Sequence, residues 1–387
     1  TRSLRTDVEF VLVDNSDDPA IMDDFMRPLL GDPRIRYIRS GDATRSMMDN
    51  WEAAMAASTG RWVTFIGDDD HCDPDAAGVI ARIEAENPAV EAIDWAKLFY
   101  TWPDGDRPPV SQQITLHTEI HEVSKSLLEA RAFRWQDASH VLCSGFSIYH
   151  GAVSRRLVDR IKARYGGRFF EYPIVDYEAL FKVVMHGSSF VHCRRPLSIL
   201  GACPLSNSAA VRDMAEMKKR VDIFNKESGT PLDLMACYRN YPFKSTMGVI
   251  AAIGMAHHWF SERTGQTFSG FEENFVRACT AQCGVIPDRE EFDLITAAYR
   301  SALARWKGGR YLKLFKPTFR PAGAEGKFLG LWDQSLYLDA GNPWCRTVAD
   351  YYDFVSDLLV PVAELKVDLG QYQAISHLDS KAVSGRP

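Results

Sequence analysis

The chain has 387 residues, 46% apolar and 25% charged, with a formal net charge of −6. That length allows two or three domains with substantial cores, and the balance is that of an ordinary globular protein. With no basic excess, a nucleic-acid partner is not expected. The eight cysteines are scattered without paired CxxC knuckles, so they read as reduced, mostly buried thiols rather than a zinc site.

The first hundred residues alternate between strand and helix patterns. Val8 to Val13 (VEFVLV) suits a buried parallel strand, broken by Asp14-Asn15-Ser16-Asp17-Asp18-Pro19. Ile21 to Leu30 reads as a helix, Ile35 to Ile38 as a second strand and Ser46 to Ser58 as a helix ended by Gly60. Trp62 to Ile66 returns as a strand. Gly67-Asp68-Asp69-Asp70 follows at its carboxyl end, the edge where open α/β sheets bind ligands. Asp73 is the expected N-cap, and Pro74 the first residue, of a helix running to about Glu86. Glu91 to Tyr100 is a predicted strand, 101–113 a loop, Val123 to Phe133 a helix, Ser144 to Tyr149 a strand and Val153 to Tyr165 a helix. Asp176 to Met185 reads as a helix and Ser189 to Cys193 as a strand.

Beyond a boundary placed at Pro204 to Asn207, long helical patterns dominate: Ala209 to Asn225, Ser245 to Phe260, Phe271 to Cys283, Arg289 to Trp306 and Thr347 to Leu359. The most apolar stretch, Met247 to Phe260, is interrupted by Gly248, Gly254, His257 and His258. It is too short to span a bilayer and reads as a core helix. The expected organisation is a first domain over 1–204 and a helical one over 205–387.

Three consecutive carboxylates repel one another, and a loop that gathers them often recruits a cation. A hard divalent ion held by one or two carboxylates, with phosphate oxygens and water completing its shell, fits Asp68, Asp69 and Asp70. A solvated turn near a helix dipole is the competing reading. If the two strands run parallel, Asp14-Asn15-Ser16 falls on the same sheet edge. One loop would then read a nucleobase while the other holds a metal.

Val11-Leu12-Val13-Asp14-Asn15-Ser16, Asn50-Trp51-Glu52-Ala53-Ala54, Thr59 to Asp70 (TGRWVTFIGDDD) and Asp73-Pro74-Asp75, in that order and spacing, resemble the family 2 glycosyltransferases. The resemblance covers residues 1–80 well and 140–204 loosely. It implies an α/β, Rossmann-like GT-A-type mixed sheet, here followed by the mostly helical C-terminal region. By analogy, Asp14 hydrogen-bonds the nucleobase and Asp68 sits near the ribose or donor sugar. Asp69 is the leading ligand of Mg²⁺ or Mn²⁺, with Asp70 ligating or supporting it. Arg45 is a candidate contact to the nucleotide or diphosphate. The family's opening strand and nucleobase-cradling loop have no counterpart before Thr1-Arg2-Ser3-Leu4, a difference of roughly 20–30 residues.

The implied reaction is displacement at the anomeric carbon of a nucleoside-diphosphate sugar, inverting its configuration, with a carboxylate taking the acceptor proton. Asp176, at the start of a predicted helix about a hundred residues after the acidic cluster, resembles the family's base. Val175 stands where the family usually carries Glu. Glu178 and Glu171 are the alternatives, and a helix-capping role is the plainer reading of Asp176. His71 reads as packing on the loop, Trp102 and Trp135 as core or loop residues with a sugar-stacking alternative, and His192-Cys193 as strand neighbours facing opposite ways. Arg310, Lys313, Lys316 and Arg320 form a positive stretch that reads as a solvated face.

The resulting expectation is a metal-dependent inverting glycosyltransferase with a nucleoside-diphosphate sugar donor and a glycan or lipid-linked acceptor. The resemblance suggests work at the cytoplasmic side, with peripheral contact to the membrane's inner face. A nucleotidyltransferase making a nucleotide sugar, or a non-catalytic nucleotide-binding scaffold, are the alternatives.

Overall fold

The computed structural model describes residues 3–41, 44–102, 111–136, 141–142, 145–203, 214–228, 231–321, 328–339 and 345–370. In chain order its elements are β1 (Phe10–Val13), α1 (Pro19–Met26), β2 (Ile35–Ile38), α2 (Met47–Ala57), β3 (Trp62–Val63), β4 (His71–Cys72), α3 (Ala76–Glu86), β5 (Ala92–Thr101), β6 (Ser111–Thr115), β7 (Ile120–Val123), α4 (Lys125–Arg134), β8 (Gly151–Ser154), α5 (Arg155–Arg164), α6 (Val175–His186) and β9 (Phe190–Ala202). The second half adds α7 (Met214–Ser228), α8 (Val249–Thr264), α9 (Phe271–Gly284), α10 (Arg289–Arg305), β10 (Gly330–Trp332), β11 (Ser335–Asp339) and α11 (Val348–Ser356).

The central sheet is mixed, in the order β3-β8-β5-β9-β4, with β7 also pairing β9. Its spine is the parallel β5–β9 ladder. A register shift separates Trp95↔Cys193 from Lys97↔Ser198, so Arg194 to Leu197 bulge opposite Ala96 alone. Pro196 lies in that bulge, where its missing N–H removes no ladder bond. β1 and β2 form a separate parallel pair. The VEFVLV strand and the strand before the acidic loop therefore do not share one parallel ladder, so the condition for a common sheet edge is not met: β3 pairs antiparallel with β8.

Helix ends follow local chemistry. Asp18 accepts from Ala20 N at 3.0 Å and places Pro19 in the first turn of α1, while Ser46 accepts from Asp49 N at 3.1 Å to cap α2. The helix expected from Pro74 starts two residues later. Asp73 Oδ1 accepts from Asp75 N at 2.8 Å in a turn, while its Oδ2 takes the Tyr352 hydroxyl at 2.5 Å. The strand expected over Ser144 to Tyr149 is a turn within its described part, because Phe146 and His150 adopt φ of 63° and 53°. The 101–113 segment, expected as loop, contributes β6 from Ser111 onward, which pairs with β11.

The expected boundary at Pro204 to Asn207 lies outside the described residues. On either side of it the packing is shared: one buried cluster includes Leu157, Phe181 and Phe190 as well as Phe243, Phe260, Phe275 and Leu303. Phe133 stacks on Phe260 with centroids 6.0 Å apart, and Phe181 lies 5.4 Å from the same ring. α8 is a core helix, as its composition implied, and among the described residues no helix is long and apolar enough to cross a membrane.

A continuous core predicts a shared fate. Phe260→Ala should cost about 3–5 kcal/mol. In urea, far-UV circular dichroism and tryptophan fluorescence should shift together in one transition; separate transitions would show that the two halves fold independently.

Candidate functional site

The acidic loop resolves its own charge repulsion by dividing its three carboxylates between solvent and interior. Asp68 is exposed, Asp69 half-buried and Asp70 buried. Asp70 Oδ2 accepts from Gly67 N at 2.6 Å, the Tyr149 hydroxyl at 2.7 Å and His150 Nε2 at 3.0 Å, and Oδ1 accepts from Gly201 N at 2.8 Å. Burial alone would raise its pKa, but these donors, His150 foremost, hold it below the ordinary aspartate range. Of the two roles open to Asp70, ligating a metal or supporting the ligand, its geometry favours support: its side chain has no exposed surface.

Two glycines let the loop sit where it does. A Cβ at Gly67 would stand 3.0 Å from both Asp69 Oδ1 and Asp70 Oδ2. A Cβ at Gly201 would stand 1.8 Å from the Asp69 carbonyl oxygen, so the loop lies directly against β9. Trp102 donates its indole N–H to that same carbonyl at 2.9 Å. It thus braces the loop from behind, a use other than sugar stacking.

Tyr149 and His150 were not singled out from the sequence. They arrive through a turn docked on the strand extension: Phe65 N donates to Ile148 O at 2.7 Å and His150 N to Phe65 O at 3.0 Å. Ser147 Oγ accepts from Tyr149 N at 3.0 Å and tightens the turn. Trp51 stacks on Phe65 at 4.8 Å and tilts against Tyr149 at 5.8 Å. Burial and the surrounding charges of Asp70, Asp176 and Asp69 push the Tyr149 hydroxyl far up, so it stays protonated. Of these, Asp70 is in direct contact with the phenol.

Asp176 lies in the first turn of α6, whose N-cap is Ile174, so it is not the cap residue. Burial raises its pKa to about 6, against the pull of the Tyr177 and Asp176 N–H groups and of Lys97 on β5. The other two candidate bases are engaged. Glu178 is fully buried; it pairs with Lys182 Nζ at 2.7 Å and accepts from Glu171 N and Tyr172 N at 2.9 Å. Glu171 pairs with Lys182 and with Arg263, each at 3.1 Å. Lys182 is itself buried and also donates to Phe169 O at 2.7 Å.

At the first loop, Asp14 is buried. Its Oδ1 accepts from Ser16 N at 2.9 Å, and the Tyr37 hydroxyl reaches its Oδ2 at 3.3 Å. Burial raises its pKa, but these bonds and one from Ser40 N–H outweigh it and keep the carboxyl low. Asn15 is bonded to Arg45 at both ends of its amide, to the carbonyl at 2.9 Å and from the N–H at 2.8 Å. That clasp brings Arg45 to the Asp14 loop. The Arg45 Nη1 atom is buried and has no hydrogen-bond partner among the described residues. A buried cationic donor left unsatisfied is costly, and an anion is the natural complement.

The remaining sequence candidates are structural. His71 packs on Tyr352 with centroids 4.6 Å apart, and Trp135 is buried against Phe271 and Phe275. His192 bonds Asp94 at 3.0 Å while Cys193 enters a different apolar cluster, as strand alternation requires. Arg310, Lys313, Lys316 and Arg320 are exposed. Among the described residues no group of three or more His, Cys, Asp or Glu side chains stands ready to hold a metal ion.

Residues 2–158 match the family model described as Glycosyl transferase family 2. No curated protein sequence matches the chain. Similar solved structures include residues 1–349 of S. aureus TarS alone, at 12% identity and a TM-score of 0.39, covering 80% of each chain. The same fragment with UDP-GlcNAc is 13% identical with a TM-score of 0.41, covering 80% of this chain and 81% of that one. With UDP the values are 12% and 0.38 over the same shares. At these values the superpositions add no argument of their own.

The two acidic groups of α6 should respond oppositely to neutralisation. Glu178→Gln leaves Lys182 without its closest partner and should destabilise by about 3–5 kcal/mol. For Asp176 the pKa is raised on folding. Its contribution is therefore fully present below the unfolded value near 4 and lost as pH rises through about 6. Asp176→Asn should then be as stable as the parent, or more so, at pH 7.5 in thermal unfolding. A large loss would mean that Asp176 holds the fold.

Proposed function

We propose that this chain, whose residues 2–158 are a family 2 glycosyltransferase domain, moves a sugar from a nucleoside diphosphate to a hydroxyl acceptor by single displacement, with Asp176 as the base. The observation that carries this reading is the setting of Asp176: a half-buried carboxylate in the first turn of α6, raised to about 6 and outside the ion pairs that hold Glu178 and Glu171. A base poised just below neutral pH is ionised in use yet basic enough to accept a proton. The neighbouring Glu178 and Glu171 are held in ion pairs and have no such freedom.

In this reading Arg45 meets the diphosphate, since its unsatisfied Nη1 needs an anion. Asp14 shapes the first loop and reaches the nucleobase through it, because its own carboxylate is engaged by Ser16 and Tyr37. Asp69 and the exposed Asp68 suit Mg²⁺ or Mn²⁺: they are hard oxygen donors, too few to complete a shell and so in need of phosphate oxygens. The ion, when bound, neutralises charge on the leaving diphosphate. Asp70 supports these two from inside. Asp176 takes the proton of the acceptor hydroxyl as that oxygen attacks the anomeric carbon. The bond to the diphosphate breaks on the opposite face, and configuration inverts. A glycan or lipid-linked glycan supplies the hydroxyl.

Thermal unfolding against nucleoside diphosphates with and without Mn²⁺ tests the donor site. A ligand at about 100 times its dissociation constant stabilises by about 2.7 kcal/mol. The shift should need both metal and nucleotide and should vanish in Asp69→Ala. Arg45→Ala should weaken nucleotide binding even without metal; an unchanged affinity would remove Arg45 from the site.

Transfer should rise with pH on a limb centred near 6, the value of Asp176. Asp176→Asn should keep donor binding and lose transfer. A transfer rate indifferent to that substitution would end the assignment of the base, whereas donor binding without transfer in the parent would favour a nucleotide-binding scaffold.

A further inference from the structure

Behind Asp70 runs a buried chain of polar groups that the reaction itself does not use. Trp95 Nε1 donates to Ser198 Oγ at 2.8 Å, Ser198 Oγ meets His150 Nδ1 at 2.9 Å, and His150 Nε2 meets Asp70 Oδ2 at 3.0 Å. His150 and Ser198 have no exposed surface and Trp95 only 1%. An indole nitrogen can only donate, and an ionised carboxylate can only accept. The His150 Nε2 that faces Asp70 therefore carries a proton, and the Ser198 hydroxyl, with the Trp95 N–H on one lone pair, partners the other ring nitrogen. The chain runs from β5 to the acidic loop.

Asp70, which can only accept, draws the proton to Nε2, and Ser198 holds the far side of the ring so that it stays aimed at Asp70. The backbone of His150 adds to the constraint, since its φ of 53° is uncommon for a residue with a side chain. The same oxygen of Asp70 also takes the Tyr149 hydroxyl and Gly67 N–H, so a ring that turned would disturb the start of the loop directly.

We propose that His150 is a positioning residue of the donor site: fixed by Ser198 and Trp95, it pins Asp70 and thereby sets the direction in which Asp68 and Asp69 face. The proposal rests on the donor-site reading above. Neither His150 nor Ser198 touches substrate, so their effect passes through the loop. Groups that orient metal-binding residues from behind commonly change metal affinity by about 10–100-fold when removed.

The test compares the full chain with Ser198→Ala, His150→Ala and His150→Gln. The quantity read is the ratio of UDP affinities with and without Mn²⁺, from calorimetry, with a second nucleoside diphosphate if UDP does not bind. Ser198→Ala is the gentle variant: it should stay folded and lower the ratio about tenfold, at the small end of that range. His150→Ala should lower it further. His150→Gln, which still offers one N–H toward Asp70, should recover part of the loss. Without any metal, hydrogen exchange at the Gly67 and Gly201 amides should quicken in Ser198→Ala while remote amides do not change. A ratio equal to the parent's in folded Ser198→Ala, with only the melting temperature lowered, overturns the proposal and leaves the chain of bonds a core feature. If the parent itself binds no nucleoside diphosphate in a metal-dependent way, the donor-site reading and this inference fall together.

Discussion

Removing a carboxylate from water costs several kcal/mol unless it is fully paired, and the architecture of the site follows from meeting that requirement at Asp70. Four donors meet it, and they come from three places: Gly67 in the loop itself, Tyr149 and His150 in the turn before β8, and Gly201 on β9. Bringing them together closes the sheet around the loop. The close approach at Gly201, the Trp102 brace and the positive φ of His150 are all geometric conditions of that one burial. With Asp70 turned inward, its two neighbours are left toward solvent, and a GDDD run becomes a directional device rather than a knot of repulsion.

The same physics acts a second time at α6. Glu178, buried one turn into the helix, is met by Lys182 and by the N–H groups of Glu171 and Tyr172. That arrangement folds the 169–172 segment back over the start of the helix. Burial raises both carboxyls, Glu178 to about 7 and Asp176 to about 6, but they are met differently: Glu178 is held by an ion pair with Lys182, Asp176 by backbone N–H groups at the start of the helix.

Much of this was legible from local pattern. The acidic loop, the existence of α1 and α2, the core character of α8 and the C-terminal helices all follow from spacing and composition within a few residues. What was not legible depends on distant partners. β6 is polar (SQQIT) and becomes a strand because β11, more than two hundred residues later, pairs with it. Asp73 loses its expected capping position because its carboxylate is shared between a local turn and Tyr352. The alternating apolar run near Tyr149 looked like a strand, but positive φ at Phe146 and His150 bends it into a turn. Asp176, Glu178 and Glu171 were equivalent in type; only Lys182 and Arg263, which face the latter two, separate them. Nothing in the residues around His150 signals a link to Asp70, eighty positions earlier.

The shared aromatic core has a consequence for how such a protein changes over time. Asp176 rides on the first turn of a helix whose interior face includes Phe181, and Phe181 lies against Phe260 of α8. A close-packed interior transmits small displacements. Substitutions in the C-terminal helices can therefore shift Asp176 by fractions of an ångström without altering any residue beside it. Lineages carrying the same acidic loop and the same Asp176 can in this way diverge through changes remote from both, and a comparison of those residues alone would see no difference between them.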